Sequence, residues 1–186
     1  MLLTLFVLLG VVACSRSAIK NSDLAAKPRL PDDMKATAQE AADHFNKKEF
    51  DGAADCYQRI IDRYPDSLYA WSNLGVTRFQ QGKLDEARKA LMQAVSLSPQ
   101  DAFSWRSLGI VYYQLGRYDE AISALERAIE IEPNNVWSHD YLGCSYAQKG
   151  LPQKAKEEFK KAMDLDLGIP KDSRMEKFIS QGNGAR

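Results

Sequence analysis

The chain has 186 residues, enough for one domain or for one domain with a targeting segment. Hydrophobic residues make up 45% of it, so a packed core is feasible and global disorder is not expected. Lys+Arg and Asp+Glu total 25 each, and this balance argues against a broad nucleic-acid-binding surface. Two histidines and three cysteines are too few for a His/Cys-rich metal site or a disulfide framework, so we predict neither a metal nor a cofactor.

The N-terminal segment is predicted to direct the chain to a membrane. Residues 1–13 carry no charged side chain, and their apolar run is too short to span a bilayer but suits the core of a signal peptide. The segment Val11-Val12-Ala13-Cys14 resembles the lipobox of bacterial lipoproteins. That resemblance implies cleavage before Cys14, acylation of its thiol and anchoring of the new N-terminus in a membrane. The alternatives are an ordinary cleavable signal and a short uncleaved anchor.

Residues 14–30 are predicted to form the lipidated tether. They are rich in Ser, Ala, Lys and Asn without a sustained apolar period, and a flexible segment of this length spans roughly 20 Å. Ser15 follows the cysteine where an aspartate would retain enteric lipoproteins at the inner membrane. The resemblance therefore implies a lipid anchor in the outer membrane of a bacterial envelope, facing the periplasm.

A repeat of 34 residues occupies the remainder of the chain. The positions that recur at this spacing are Pro31, Pro65, Pro99 and Pro133; Ala53, Ala87, Ala121 and Ala155; Leu74, Leu108 and Leu142; Gly75, Gly109 and Gly143; and Gly82, Gly116 and Gly150. The segments Trp71-Ser72-Asn73-Leu74-Gly75 and Trp105-Arg106-Ser107-Leu108-Gly109 resemble the tetratricopeptide repeat family. The resemblance implies an all-α fold, a right-handed α-solenoid of four helix-turn-helix repeats over residues 33–66, 67–100, 101–134 and 135–167.

Each repeat carries signals for where its helices begin and end. The residues predicted to end the first helices in a left-handed conformation are Gly82, Gly116 and Gly150. The residues predicted to cap the start of the first helices are Ser67, Asp101 and Asn135. The residues predicted to cap the start of the second helices are Asp51, Asp85 and Asp119.

The two terminal repeats depart from the pattern. In the first, Lys48 stands where the others have the helix-ending glycine, and in the fourth His139 replaces the tryptophan. Beyond the repeats, Ser173-x-x-Glu176 resembles a capping box. Residues 168–186 are therefore predicted to form a C-terminal capping helix and a frayed tail.

The sequence offers no catalytic constellation. His44 and His139 are far apart and fall at helix-packing positions, so we interpret both as structural. Cys56 and Cys144 are interpreted as small buried hydrophobic residues. No phosphate-binding glycine loop, zinc-type histidine pair or nucleophile elbow is found. We therefore expect that the protein is not an enzyme.

The resemblance to tetratricopeptide repeats implies a ligand groove on the concave face, lined by the first helix of each repeat. Aligning the repeats predicts an aromatic column, an apolar floor and a ladder of amides. The predicted groove residues are Tyr69, Asn73, Val76, Gln80, Phe103, Ser107, Ile110, Gln114, Trp137, Tyr141 and Gln148. The alternative for the aromatic column is packing under the neighbouring repeat.

The expected ligand is a protein or peptide segment, largely apolar. The family's carboxylate clamp for acidic C-termini is not expected, because only Asn73 matches it. The function predicted is that of a membrane-tethered periplasmic adaptor or scaffold. Two alternatives stay open: a pilotin-like assembly factor for a pilus or secretion-system secretin, and an accessory regulator of a cell-wall enzyme or protease. The oligomeric state is also left open.

Overall fold

The computed structural model describes residues 31–165, and this range folds into eight α-helices with no strand. In chain order they are α1 (Asp32–Asn46), α2 (Phe50–Arg63), α3 (Leu68–Gln80), α4 (Leu84–Leu97), α5 (Ala102–Gln114), α6 (Tyr118–Ile131), α7 (Val136–Gln148) and α8 (Pro152–Leu165). The predicted signal peptide, the tether with Cys14 and the predicted C-terminal capping helix lie outside the described residues. None of the helices between residues 31 and 165 combines the length and hydropathy needed to cross a bilayer.

The helices pack as four stacked pairs. α1 packs on α2, α3 on α4, α5 on α6 and α7 on α8, and the second helix of each pair also contacts the first helix of the next. In addition, α3 contacts α5, and α5 contacts α7. The first helices therefore form the inner layer of the stack, and the predicted α-solenoid is confirmed.

Glycine sets how closely the two helices of a pair approach. A Cβ atom added to Gly109 would lie 2.6 Å from Leu125 Cγ, and one added to Gly75 would lie 2.5 Å from Leu91 Cγ. Glycine inside a helix costs about 0.5–1 kcal/mol relative to alanine. The cost is tolerated because the second helix buries a large side chain against the bare backbone, and Leu91 and Leu125 are fully buried.

The starts of the first helices follow the prediction. The Ser67 hydroxyl accepts a hydrogen bond from the Ala70 amide, and the Asp101 carboxylate accepts one from the Ser104 amide at 2.9 Å. Asn135 Oδ1 accepts in the same way from the amide three residues on. Each side chain thus satisfies one of the free N–H groups at a helix start.

The prediction for the second helices is wrong. These helices begin at Phe50, Leu84 and Tyr118, one residue before the predicted caps, and their N-cap residues make no side-chain cap bond. Asp51, Asp85 and Asp119 therefore lie inside the first turn, where a carboxylate stabilises the positive end of the helix dipole. Two of them also reach the following repeat. Asp51 accepts a hydrogen bond from Gln81 Nε2 at 2.6 Å, and Asp119 pairs with Lys149 Nζ at 2.8 Å.

The ends of the first helices use left-handed residues, as predicted. Gly82, Gly116 and Gly150 have φ angles of 77°, 72° and 71°. Lys48, at the equivalent place in the first repeat, adopts φ 63°, and within the described residues it is the one non-glycine residue with positive φ. The turn geometry is therefore kept in the first repeat even where the glycine that favours it is missing.

A hydrogen bond from a side-chain ring joins the first helix of the second, third and fourth repeats to the turn before it. Trp71 Nε1 donates to the Pro65 carbonyl oxygen at 2.6 Å, and Trp105 Nε1 donates to the Pro99 carbonyl oxygen at 3.0 Å. In the fourth repeat His139 Nε2 makes the equivalent bond to the Pro133 carbonyl at 2.8 Å. The structural interpretation of His139 is supported, because its imidazole occupies the place of an indole.

His139 also requires an acidic partner that the tryptophans do not have. Its Nδ1 lies 2.6 Å from Glu158 Oε2, and both side chains are buried. The Pro133 carbonyl can only accept, so Nε2–H donates to it, and Nδ1 shares the second hydrogen bond with the Glu158 carboxyl group. Lys161 Nζ completes the group by donating to Glu158 Oε1 at 2.8 Å. The positions equivalent to Glu158 in the second and third repeats are Ala90 and Ala124.

The fourth repeat has His139 and Glu158 where the third repeat has Trp105 and Ala124. Substituting Trp and Ala at these two positions tests whether the two pairs are equivalent. His139→Trp alone or Glu158→Ala alone removes the buried His139–Glu158 hydrogen bond, so we expect each to lower the free energy of unfolding by about 2 kcal/mol. The double variant recreates the pair found at Trp105 and Ala124 and should regain most of that loss. Urea denaturation of the four proteins measures the coupling. Additive losses in the double variant would contradict the proposed equivalence.

Candidate functional site

The structure divides the predicted groove residues into two classes by exposure. The six that are buried are Tyr69, Asn73, Val76, Ser107, Ile110 and Tyr141. The five that are half-buried are Gln80, Phe103, Gln114, Trp137 and Gln148. Only the second class reaches the surface of the inner layer, so the predicted groove is smaller than the sequence alignment indicated.

The buried aromatic residues pack between repeats. The ring of Tyr69 on α3 meets Tyr57 on α2 edge-on, with centroids 6.0 Å apart, and the ring of Tyr141 on α7 meets Tyr113 on α5 at 5.6 Å. Burial raises the pKa of Tyr69 and of Tyr57, so both phenols stay neutral at ordinary pH. The packing alternative therefore holds for Tyr69, and Tyr141 likewise belongs to the core rather than to a ligand surface.

The buried polar residues of the predicted groove also point inward. Asn73 Nδ2 donates to the Tyr69 carbonyl of its own helix at 2.8 Å. Asn73 Oδ1 and Ser107 Oγ are fully buried in equivalent positions of neighbouring repeats, and neither has a hydrogen-bond partner within the described part of the chain. Asn73 is thus not an amide presented to a peptide backbone, and Val76 and Ile110 beside it are fully buried floor residues.

Phe103 on α5 and Trp137 on α7 are the accessible aromatic residues of the predicted column. They occupy the same position in successive repeats, and each is half-buried against the core. The Arg106 guanidinium lies 5.4 Å from the centroid of the Phe103 ring, although Arg106 is only 7% exposed. The Arg106 guanidinium thus packs against the Phe103 ring, and the Phe103 side chain remains partly exposed.

Sequence reasoning missed Arg106 by one position. Aligning the repeats predicts Ser107 as a groove residue. The residue that contacts the Phe103 ring is its neighbour, Arg106. Arg106 is equivalent to Ser72 and Asp140 in the adjacent repeats, so this column changes from polar to basic to acidic along the stack. That change of charge type within one repeat position is the signal that could have identified it.

The glutamine ladder lies at the ends of the first helices. Gln80, Gln114 and Gln148 are each half-buried at the last residue of α3, α5 and α7. They stand at one edge of the inner layer. Elsewhere in the described chain, one group of metal-ligating side chains lies together, formed by Glu40, His44 and Cys56 on α1 and α2.

The structure has four stacked helical pairs with left-handed residues at the helix ends and a common inner layer. Glycine lies at each helix crossing from the second repeat onward. These features define a tetratricopeptide repeat protein. The chain matches the family of the C-terminal domain of cilia and flagella-associated protein 70 over residues 14–175, and it belongs to this family. No curated protein matches the sequence.

Solved structures with the same fold come from several proteins. The crystal structure of MamA is 27% identical, with a TM-score of 0.68 over 73% of this chain and 79% of that one. Pseudomonas aeruginosa pilF is 21% identical, with a TM-score of 0.73 over 81% and 69%. A thermophilic tetratricopeptide repeat protein of Thermus thermophilus is 20% identical, with a TM-score of 0.67 over 80% and 83%. The last two show the fold alone. The fold is a scaffold suited to protein binding.

The division of the aromatic column into buried and accessible members predicts different costs of truncation. Tyr69→Ala removes a ring packed between two repeats, so we expect the free energy of unfolding to fall by about 3 kcal/mol. Trp137→Ala should cost less, because part of its side chain is already in solvent. Tyr69→Phe, which keeps the ring, is the control. Equal losses for Tyr69→Ala and Trp137→Ala in urea denaturation would overturn the division.

Proposed function

We propose that the protein is a membrane-tethered periplasmic adaptor that captures a protein segment on the inner layer of its solenoid. One observation carries the proposal: Phe103 and Trp137 occupy the same position of successive repeats and remain partly in solvent, although the residues around them are buried. Large aromatic side chains at a partly desolvated surface are typical centres of protein binding energy.

The ligand chemistry follows from the two partly exposed rings and the composition of the inner layer. Val76 and Ile110 on the first helices are apolar and fully buried, and half-buried glutamines end these helices. No carboxylate clamp is expected, which disfavours an acidic C-terminus as the ligand. A segment with apolar or aromatic side chains fits best. The proposed role is binding without catalysis.

The membrane anchor is proposed from the sequence of the N-terminal segment. The lipobox-like Val11-Val12-Ala13-Cys14 would place an acylated cysteine at the new N-terminus, and residues 15–30 would hold the solenoid near the bilayer surface. Ser15 favours the outer membrane by resemblance. In this arrangement the adaptor would concentrate its partner at the membrane rather than act upon it chemically.

Co-purification tests the groove. The bait is the full-length protein from detergent-solubilised envelopes, compared with a Phe103→Ala/Trp137→Ala variant, and mass spectrometry identifies the proteins that bind. We expect at least one partner to be lost with the double variant, because its two anchor rings are gone. Met92→Ala is the matched control, since Met92 is a 44% exposed apolar side chain on the second helix α4.

The outcomes of this experiment separate the alternatives. Loss of a secretin subunit would support the pilotin-like role, and loss of a cell-wall hydrolase or protease would support the accessory-regulator role. If every partner binds equally to the wild type and to a folded double variant, the groove does not carry the function.

A second experiment tests the anchor. Cys14→Ser removes the acylated thiol, so we expect the protein to lose incorporation of labelled palmitate and to move from the membrane fraction to the soluble fraction. Cys144→Ser is the control and should leave both properties unchanged. Palmitate incorporation that persists without Cys14 would show that the lipobox assignment is wrong.

A further inference from the structure

We propose that Glu40, His44 and Cys56 form a binding site for a thiophilic divalent metal ion, with zinc as the ion that fits best. One ligand atom from each residue lies within 4.8 Å of the other two. Glu40 and His44 lie one turn apart on α1, so their side chains share a face of that helix. Cys56 comes from α2, which packs against α1. The site therefore exists only once the first repeat has folded.

The internal repeats show that these three residues are a departure from the pattern. The position of Glu40 holds leucine in each of the other repeats: Leu74, Leu108 and Leu142. The position of His44 holds Arg78, Tyr112 and Tyr146, and that of Cys56 holds Ala90, Ala124 and Glu158. All three packing positions are thus replaced by metal-ligating residues in the same repeat, and the fold brings the three replacements together.

A hydrogen bond to a neighbouring carboxylate holds one nitrogen of the His44 ring. His44 Nδ1 lies 2.7 Å from Glu49 Oε2, so Nδ1–H donates to this carboxylate and the lone pair of Nε2 is left to a metal. The ring also rests on Gly52, where an added Cβ atom would lie 3.0 Å from His44 Nδ1. The equivalent positions in the other repeats are Glu86, Glu120 and Lys154, so Gly52 makes room for the imidazole only in the first repeat.

The Cys56 thiol is buried and lies beside the Glu40 carboxylate. Burial raises the pKa of the Cys56 thiol, and the negative charge of Glu40 raises it further, so the thiol is protonated at neutral pH without a metal. A divalent ion beside the sulfur reverses this preference and releases the proton.

The Arg59 guanidinium lies against two of the three proposed ligands. Its Nη1 lies 3.3 Å from Glu40 Oε2 and 4.0 Å from Cys56 Sγ. The Arg59 side chain is 60% exposed, so it can move into solvent when an ion enters. Arg59 is thus a competitor of the metal, and its removal should tighten binding.

The three ligand types of the site favour zinc over calcium and magnesium. A thiolate, an imidazole and a carboxylate are the three ligand types that zinc accepts in sites with an open fourth position. Glu40 is exposed and His44 is partly exposed, so water can supply the fourth ligand. Calcium and magnesium, which prefer oxygen ligands alone, fit poorly.

Cobalt substitution tests the site in the full-length protein under reducing conditions. Co²⁺ bound to a thiolate gives a near-ultraviolet charge-transfer band, and competition by Zn²⁺ then gives the zinc affinity. We expect Cys56→Ser to abolish the band and His44→Gln or Glu40→Leu to weaken binding tenfold or more. Glu49→Gln, which leaves the three ligands in place, should weaken it by about 10- to 100-fold. Arg59→Gln should strengthen it.

Cys144→Ser is the matched control for thiol removal, and circular dichroism of each variant checks that it is folded. The expected pattern is a band that depends on Cys56 and His44 but not on Cys144. A wild-type protein without the band, or a band unchanged in folded His44→Gln, would overturn the proposal. Failure of this experiment would leave the proposed groove unaffected, because Phe103 and Trp137 lie two and three repeats from Cys56 respectively.

Discussion

The close crossing of two helices within each repeat is the constraint on which the structure depends. From the second repeat onward, a glycine on the first helix removes the Cβ atom that would otherwise collide with a leucine or phenylalanine of the second helix. The two helices then share one continuous apolar surface, which a single pair cannot bury by itself. Stacking of successive pairs buries it, and this stacking places the first helices of neighbouring repeats in contact as an inner layer.

The residue type at one repeat position can change when the residue that contacts it changes as well. The hydrogen bond from the first helix to the preceding turn is made by an indole at Trp71 and Trp105 and by an imidazole at His139. The second ring nitrogen of His139, Nδ1, is also buried and forms a hydrogen bond with Glu158. The fourth repeat therefore keeps the geometry of the others with a buried His–Glu hydrogen bond, at a position where the second and third repeats have alanine.

In the first repeat, a position that is apolar and buried in the other repeats is polar and exposed. As the first repeat of the described stack, it has Glu40 where the later repeats pack a leucine, and this position is exposed. Polar and ligating side chains are acceptable there because they do not have to be desolvated by a neighbouring repeat. The inner layer and this outer cluster therefore offer two kinds of surface. The inner layer has two partly exposed aromatic rings, and the cluster of Glu40, His44 and Cys56 has a carboxylate, an imidazole and a buried thiol.

The sequence by itself determined the helices and the repeat. Turn signals act over three or four residues, so the caps at Ser67 and Asp101 and the left-handed glycines were predictable, whereas the start of each second helix was misplaced by one residue. Only the tertiary structure decided which groove residues are buried, because contacts such as Tyr57 with Tyr69 join neighbouring repeats. The approach of Cys56 to α1 was decided in the same way: a 34-residue period fixes which positions are equivalent, and packing fixes which of them meet.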